Sequence, residues 1–178
     1  KILISRNDPV LEHYVGNILI DVAEALEHVH DKGFLHYDFK PENILVSRNG
    51  NVRLCDFDLS RPIPETPTKM PDNPGTPVYM APEQLRGREI DQRTDIFSFG
   101  VTMYETLTGQ KPFDGKTSKD VLMQQKERSR FFAKPRDLNP SIPEDVERII
   151  LKCIEFEMNN RYPYINYLVA ELRKALYV

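Results

Sequence analysis

Residues 36–43 are the stretch from which the fold and chemistry of this chain are best inferred: His36-Tyr37-Asp38-Phe39-Lys40-Pro41-Glu42-Asn43. Two short apolar runs follow at residues 43–47 and 51–55, and the Asn49-Gly50 pair between them predicts a β-hairpin. The second run ends at Asp56, which is followed by Phe57 and Asp58. We therefore expect Asp38 and Asp56 on loops that flank the same hairpin.

The residue types around this hairpin suit a magnesium-bound polyphosphate. Mg²⁺ takes few protein ligands, mostly oxygens, and completes its shell with phosphate and water. The Asp38 and Asp56 carboxylates and the Asn43 amide offer such oxygens, and Lys40 supplies a cation for phosphate. A second carboxylate that is free of the metal can accept a proton from an attacking hydroxyl. Each residue taken alone has an ordinary explanation as well, because a loop aspartate is most often a turn former or a helix cap.

Outside the hairpin the sequence is mostly helical, so the expected fold class is α+β, predominantly α-helical. Apolar residues recur at helical spacing from Val15 to His30, and Gly33 is expected to end that helix. The segment Thr94–Leu107 is apolar on nearly all sides, which predicts a buried helix. Six prolines within residues 61–77 predict an extended loop.

The C-terminal part of the chain contains further helix signals. Thr117 with Asp120, and Ser141 with Glu144, have the spacing of capping boxes. They predict helices over residues 118–127 and 143–156, and a last helix is expected over 164–176. No internal repeat is present.

Composition limits the class of protein. The chain has 178 residues, 40% of them hydrophobic, and a formal net charge of −3. These values exclude a disordered acidic tail and a strongly basic nucleic-acid binder, so no nucleic-acid partner is expected. The two cysteines suggest no disulfide framework and no metal site. No apolar run is long enough for a membrane helix, and a cytoplasmic location is expected.

The order of the motifs resembles that of the protein kinases. His36-x-Asp38-x-Lys40-x-x-Asn43, the hairpin, Asp56-Phe57 and then Gly75-Thr76-x-x-Tyr79-Met80-Ala81-Pro82-Glu83 are similar to the family's catalytic loop, metal-binding motif and activation segment. Asp95-x-x-Ser98-x-Gly100 resembles the start of its central helix. Over residues 1–178 the chain resembles the C-terminal lobe of a eukaryotic-type (Hanks-type) serine/threonine kinase. The resemblance places the catalytic loop at 36–43 and the activation segment at 56–83, with the small β-hairpin carrying the catalytic and metal loops.

The resemblance implies a role for each matching residue. Asp38 would deprotonate the hydroxyl of a protein serine or threonine, and Lys40 would steady the phosphoryl group transferred from ATP. Asn43 and Asp56 would hold Mg²⁺. The residues implied to contact the nucleotide are Lys40, Glu42, Asn43, Leu45 and Asp56, with Leu45 below the adenine.

Other residues are implied to support the site. His36 and Phe57 would pack as internal residues, Asp95 would hold the catalytic loop from beneath, and Glu83 and Arg161 would form a buried bidentate ion pair. Lys40 together with Thr76 is the combination of serine/threonine-directed members. Small-molecule phosphotransferases share the Asp…Asn…Asp order but lack a lysine at this spacing.

Three departures from the family pattern stand out. Tyr37 replaces the arginine that usually precedes the catalytic aspartate and meets a phosphate on the activation loop, so phosphorylation of Thr66 or Thr68 is expected to matter less. Asp58 replaces the glycine of Asp-Phe-Gly, at a position where a left-handed backbone would be tolerated. The 37 residues before Asp38 contain no glycine-rich phosphate loop.

The sequence leaves two interpretations open. The presence of Asp38, Lys40, Asn43 and Asp56 favours the first, and the three departures favour the second. In the first, the chain is the C-terminal lobe of an active kinase, whose partner is its own N-terminal lobe in a longer chain. In the second, it is a pseudokinase or interaction module that keeps the kinase fold.

Overall fold

The structure, a computed structural model, describes residues 9–69 and 74–176. Helices account for most of these residues, and the β structure within them is limited to three two-stranded antiparallel sheets. The α-helices are α1 (Pro9–Asp31), α2 (Pro82–Leu85), α3 (Arg93–Thr108), α4 (Ser118–Lys126), α5 (Arg128–Phe131), α6 (Pro135–Leu138), α7 (Glu144–Cys153) and α8 (Ile165–Leu176). The strands are β1 (Phe34–Leu35), β2 (Ile44–Val46), β3 (Val52–Leu54), β4 (Arg61–Pro62), β5 (Thr68–Lys69) and β6 (Glu89–Ile90). Single 3-10 turns occur at Pro41–Asn43, Pro77–Tyr79 and Met158–Asn160.

The main hydrophobic core lies between α1, α3, α7, α8 and the β2–β3 hairpin. Buried side chains from each of these elements meet there, among them Leu26, Ile44, Phe99, Ile149 and Leu168. The hairpin pairs Ile44 with Leu54 and Val46 with Val52. Its buried strand residues thus tie the loops on either side of it to the helical body.

Helix α3 runs through the centre of the molecule and is buried on nearly all sides, as its apolar sequence predicts. At Gly100 it approaches the end of α7 so closely that a Cβ atom would lie 2.6 Å from the Cys153 Cβ and 2.7 Å from the Ile154 Cγ2. Real Cβ atoms do not approach other carbons this closely. Glycine is therefore required at the crossing of α3 with α7.

A second apolar cluster attaches residues 79–81 to α3 and α4. Phe97 and Val101 of α3 contact Tyr79 and Ala81 there, together with Val121 of α4. Polar contacts fix the same backbone. The Ser98 hydroxyl donates to the carbonyl of Tyr79 at 2.8 Å, and the Gln125 amide donates to that of Met80 at 2.9 Å.

Several predicted boundaries are confirmed. Gly33 (φ +79°) follows α1, and Gly50 (φ +80°) lies in the hairpin turn. The Thr117 capping box is present, because its hydroxyl accepts the Asp120 N–H while the Asp120 carboxylate accepts the Thr117 N–H. Helix α8 matches the expected last helix within one residue.

Other predictions need correction. Helix α1 begins at Pro9, six residues before the apolar periodicity at Val15. The second capping box is wrong, because the Ser141 hydroxyl donates to Asn139 Oδ1 at 2.6 Å and α7 begins only at Glu144. Helix α7 also ends at Cys153, three residues early, and the sequence patterns do not predict the short helices α2, α5 and α6.

The proline-rich segment 61–77 is not a continuous loop. Strand β4 pairs with β1 and strand β5 pairs with β6, each over two residues. Proline is compatible with such short edge pairings because an edge strand leaves one side unpaired. Residues 70–73 of the expected loop lie outside the described residues. No helix in the described ranges is long and apolar enough to cross a lipid bilayer.

Candidate active site

The catalytic-loop candidate, residues 36–43, is held from below by one carboxylate at the start of α3. Asp95 accepts the backbone N–H of His36 at 2.7 Å and that of Tyr37 at 2.9 Å. The His30 ring, at the end of α1, contacts the same carboxylate at 2.9 Å. The expectation that Asp95 supports this loop is confirmed.

The charge of Asp95 is stabilised by these contacts. Burial by itself raises the pKa of Asp95, but the hydrogen bond and charge of His30 and the two loop N–H groups outweigh it. The pKa of Asp95 therefore lies below its usual range, and the carboxylate is ionised at neutral pH.

Three of the predicted site residues form one hydrogen-bonded group. The Lys40 ammonium lies 2.5 Å from Asp38 Oδ2. The Asn43 amide nitrogen donates to the Asp38 carbonyl at 2.8 Å and to Oδ2 at 3.3 Å. The Asp38 side chain is only 10% exposed, so these contacts limit the direction in which its carboxylate points.

At Gly75 the backbone passes close to Oδ1, the second carboxylate oxygen of Asp38. A Cβ atom on Gly75 would lie 3.3 Å from Asp38 Oδ1 and 3.0 Å from the end of the Met80 side chain. Gly75 also has a φ of +133°, which side chains disfavour. Glycine thus lets the second predicted motif, residues 75–83, approach Asp38.

Asp56 lies beside this group because backbone contacts of Cys55, the preceding residue, hold the chain there. The Cys55 N–H donates to the carbonyl of Asn43 at 2.9 Å, and the His36 ring contacts the Cys55 carbonyl at 3.1 Å. Asp56 follows with a left-handed φ of +63° and an exposed side chain. Its carboxylate has no hydrogen bond or ion pair to any described residue.

Asp58 does not have the left-handed backbone that its glycine-like position suggested. Within the described chain, the non-glycine residues with positive φ are Tyr37 and Asp56. The unusual conformation therefore falls at the start of Asp56-Phe57-Asp58 and not at its third residue. An aspartate at position 58 causes no backbone strain in this structure.

The side-chain oxygens of Asn43 and Asp56 fit a magnesium ion that also binds phosphate. Both hydrogen bonds of the Asn43 side chain use its nitrogen, so its oxygen keeps its lone pairs for a ligand. Asn43 and the Asp56 carboxylate then offer hard oxygens at one edge of the hairpin. The described residues contain no group of three or more His, Cys, Asp or Glu side chains able to hold a metal. Two protein oxygens of this kind suffice for Mg²⁺ where phosphate oxygens and water complete its shell.

The remaining predicted nucleotide contacts lie outside the hydrogen-bonded group. Leu45 is 42% exposed on the outer face of β2. Glu42 is exposed. Burial raises the pKa of Tyr79, and so do its hydrogen bond to Glu105 and the negative charges of Glu105 and Glu42. His36 is fully buried as expected, with its ring 4.9 Å from that of Phe57. Phe57, however, is 45% exposed and not internal, because no described element covers its outer face.

Some contacts of the site could not be anticipated from the sequence. His30 and Asp95 are 65 positions apart, and no spacing rule connects them. Arg61 lies over the ring of Tyr37, with its guanidinium carbon 4.8 Å from the ring centre. The predicted ion pair, in contrast, is confirmed: Arg161 contacts both oxygens of Glu83 at 2.7 and 2.9 Å, and both side chains are buried.

Comparisons with known proteins agree with this geometry. The family model described as the protein kinase domain matches residues 1–172. The serine/threonine-protein kinase PrkC of Bacillus subtilis is 31% identical over 98% of this chain and 27% of its own length. The probable serine/threonine-protein kinase PknB of Lactococcus lactis is 30% identical over 97% of this chain and 27% of its own length. The tyrosine-protein kinase MasK of Myxococcus xanthus is 35% identical over 85% of this chain and 25% of its own length.

The chain thus spans about a quarter of the length of the curated relatives it matches. Within that quarter, the family match covers nearly every residue and includes both motifs that meet at Asp38. On this basis the chain belongs to the Hanks-type family of protein kinase domains.

Proposed function

We propose that this chain is the C-terminal lobe of a catalytic domain that transfers the γ-phosphoryl group of ATP to serine and threonine hydroxyls of proteins. The observation that carries the proposal is the group formed by Asp38, Lys40 and Asn43, with Asp56 adjacent through the Cys55 backbone. Phosphoryl transfer depends mainly on positioning and on neutralising charge, and this group supplies residues for both tasks.

Asp38 is the residue that would accept the proton of the acceptor hydroxyl. Lys40 and Asn43 both contact Oδ2, which leaves Oδ1, on the side of Gly75, to face an incoming hydroxyl. The Lys40 ammonium would also contact the transferred phosphoryl group. Asn43 and Asp56 would hold Mg²⁺, which neutralises phosphate charge when bound.

Specificity for serine and threonine has two supports. Lys40 and Thr76 are the combination that resembles serine/threonine-directed kinases. Two of the compared relatives are named serine/threonine-protein kinases, while one is named a tyrosine-protein kinase. We assign serine and threonine as the acceptors because the residues of this chain and most relatives agree.

We further propose that the chain acts together with an N-terminal lobe and is inactive by itself. No glycine-rich phosphate loop occurs in the residues before Asp38. Leu45 and Phe57, both beside the candidate site, expose 42% and 45% of their surface. A covering lobe that contributes the phosphate loop would bury these side chains and complete the nucleotide site.

The test compares two proteins, the 178-residue chain and a longer protein that also contains the residues encoded upstream. We expect the longer protein to phosphorylate serine and threonine peptides but not the matched tyrosine peptides. Asp38→Asn and Asp56→Ala should each lower kcat by about 10²–10⁴-fold. Asp114→Asn, at an exposed site, is the matched control and should retain activity.

Three results would contradict parts of the proposal. Robust autophosphorylation by the 178-residue chain, abolished by Asp56→Ala, would show that no further lobe is needed. Preference for tyrosine peptides would overturn the acceptor assignment. A longer protein that neither transfers phosphate nor binds Mg²⁺-ATP would favour the interaction module, for which the departures at Tyr37 and Asp58 are the supporting observations.

A further inference from the structure

The side chain of Tyr37 lies where three segments of the candidate site meet. It is 3% exposed and forms a small apolar cluster with Leu35 and Ile90, against which Leu59 and Ile63 pack. These partners come from β1, from the segment after Asp56 and from β6. The Tyr37 ring thus contacts three segments that are separate in the sequence.

Two polar side chains complete the surroundings of this ring. The Arg61 guanidinium carbon lies 4.8 Å from the ring centre, within the range of a cation–π contact. The side-chain amide of Gln84 lies beside the Tyr37 hydroxyl. Gln84 also accepts the Ala81 N–H at 2.9 Å, so this amide connects Tyr37 to the start of α2.

The backbone of Tyr37 is in a conformation that an aromatic residue rarely adopts. Its φ is +69°, and its N–H is held by Asp95 Oδ1 at 2.9 Å. Left-handed residues of this kind persist only where their surroundings hold them. Because Asp38 is the next residue, the backbone angles of Tyr37 set the direction in which the Asp38 side chain leaves the backbone.

Strand pairing holds Arg61 beside the Tyr37 ring. Its backbone pairs with Leu35 in the β1–β4 sheet, two residues before Tyr37. Its Nε is buried without a hydrogen bond, and the guanidinium has no carboxylate partner among the described residues. Contact with the Tyr37 ring is therefore the main interaction that the structure shows for this cation.

We propose that Tyr37 and Arg61 form a stacked pair that positions Asp38, the residue placed above as the proton acceptor. The inference rests on the proposed function and deepens it by naming what orients the acceptor. Tyr37 is a positioning residue and does not touch the substrate. The pair also links the Asp56 segment directly to the Asp38 loop, so a change in one reaches the other.

The experiment uses the longer, active protein and measures kcat and KM separately. Tyr37→Leu and Arg61→Ala should each lower kcat tenfold or more, with KM for ATP within about twofold of wild type. Because the two residues act through one contact, the double variant should lose far less than the product of the two single losses. Tyr37→Phe keeps the ring beneath the guanidinium and should retain kcat within about threefold. Arg61→Lys keeps the charge without the planar guanidinium and should recover only part of the loss seen in Arg61→Ala.

Matched controls make the same changes at exposed positions. Tyr167→Leu and Arg48→Ala should leave kcat and KM unchanged. Melting temperatures are measured for every variant, and assays run well below the lowest of them, so that lost stability alone does not lower kcat. If Tyr37→Leu does not fold, Arg61→Ala and Arg61→Lys decide the question.

The possible failures are distinguishable. Folded Tyr37→Leu and Arg61→Ala variants with wild-type kcat, or an effect on KM alone, would overturn the positioning role while leaving the proposed function intact. Fully multiplicative losses would overturn the stacked pair. A wild-type protein without activity, or one indifferent to Asp38→Asn, would overturn the proposed function and this inference with it.

Discussion

The carboxylate of Asp95 accepts two successive N–H groups of the catalytic-loop candidate and contacts His30, all within 2.9 Å. Its pKa is lowered on folding, because these contacts outweigh the burial that raises it. The folded carboxylate thus binds its proton more weakly than the unfolded one, whose pKa is about 3.9. Its contribution to stability is complete above about pH 4 and is lost as the pH falls through the lowered pKa.

Asp95→Asn should therefore lower the free energy of unfolding most at neutral pH. Hydrogen bonds to a charged group contribute about 1.5–3 kcal/mol each, so we expect a loss of at least about 2 kcal/mol at pH 7. Urea unfolding at pH 7, 5 and 3.5 would show an equal difference from wild type at the first two values and a smaller one at the third. Asp114→Asn, at an exposed position, is the control, and a difference that grows toward low pH would contradict the argument.

The buried ion pair between Glu83 and Arg161 is supported by further hydrogen bonds to both side chains. Arg161 also donates to the carbonyls of Arg93, Glu155 and Phe156. Thr94 donates to Glu83 Oε1 at 3.0 Å. Every polar group of this contact therefore has a partner, and removal of one side chain leaves a buried charge uncompensated.

We expect Glu83→Ala and Arg161→Ala each to lower the free energy of unfolding by about 3–5 kcal/mol. The double variant should lose much less than the sum, because the second change removes the stranded charge. The control is the exposed pair Arg173–Glu24, of the same residue types at 2.6 Å, for which coupling should stay below about 1 kcal/mol. Denaturant unfolding of both double-mutant cycles measures the difference. A coupling near zero between Glu83 and Arg161 would refute their role in attaching α2 to the helical body.

At the scale of elements, substitutions at Gly16 of α1 and Gly100 of α3 distinguish the effect of helix packing on stability from the effect of helix propensity. A Cβ at Gly100 of α3 would overlap Cys153 and Ile154 at 2.6–2.7 Å, whereas one at Gly16 of α1 would contact Leu176 at an ordinary 3.8 Å. Alanine favours a helix interior over glycine by about 0.5–1 kcal/mol. Gly16→Ala should therefore stabilise the chain slightly.

Gly100→Ala should destabilise it, because α3 and α7 must move apart to admit the methyl group. Overpacking of this kind costs about 1–3 kcal/mol, which exceeds the gain in helix propensity. Thermal unfolding of the two single variants is the measurement. If both variants gave higher melting temperatures, the close approach of α3 and α7 would not be required for the fold.

At the scale of the whole molecule, the segment from Asp56 to Glu83 connects the hairpin to α2. Its first part forms two short sheets with β1 and β6, and its residues 79–81 pack on α3 and α4. Thr66 lies between those sheets and Thr68 is the first residue of β5; both are exposed, and the Thr68 hydroxyl donates to the Thr66 carbonyl at 2.7 Å. Tyr37, beside Asp38, is a neutral phenol at pH 7, as tyrosines ordinarily are, and burial raises its pKa further. A neutral phenol cannot pair with a phosphate dianion as an arginine does.

Thr66→Ala combined with Thr68→Ala should consequently retain activity within about threefold in the longer, active protein. Phosphopeptide mass spectrometry of the wild type shows whether either hydroxyl is modified, and initial rates of both proteins give the comparison. The exposed Thr117 is unsuitable as a control because it caps α4, so Ser129→Ala on α5 serves instead. A loss of a hundredfold or more would mean that a cation such as Arg61 reads a phosphate on this segment.

Features that depend on neighbours in the sequence were predictable from the sequence. The Asn49-Gly50 turn, the Thr117 capping box and the glycine that ends α1 are decided by local backbone preferences and by hydrogen bonds over three or four residues. The order of the two motifs around the hairpin likewise indicated that Asp38, Asn43 and Asp56 meet. Local signals failed where a nearby competitor was stronger, as at Ser141, whose hydroxyl bonds Asn139 and not the start of α7.

The sequence by itself determined the helical body, the hairpin and which polar residues form the candidate site. Only the tertiary structure decided how that site is oriented. The two N–H groups on Asp95 come from residues 58 and 59 positions away, and the left-handed backbone falls at Tyr37 and Asp56 and not at Asp58. The contact of the Arg61 guanidinium with the Tyr37 ring also requires that β4 pair with β1. Such contacts depend on the packing of distant segments, and no local preference encodes them.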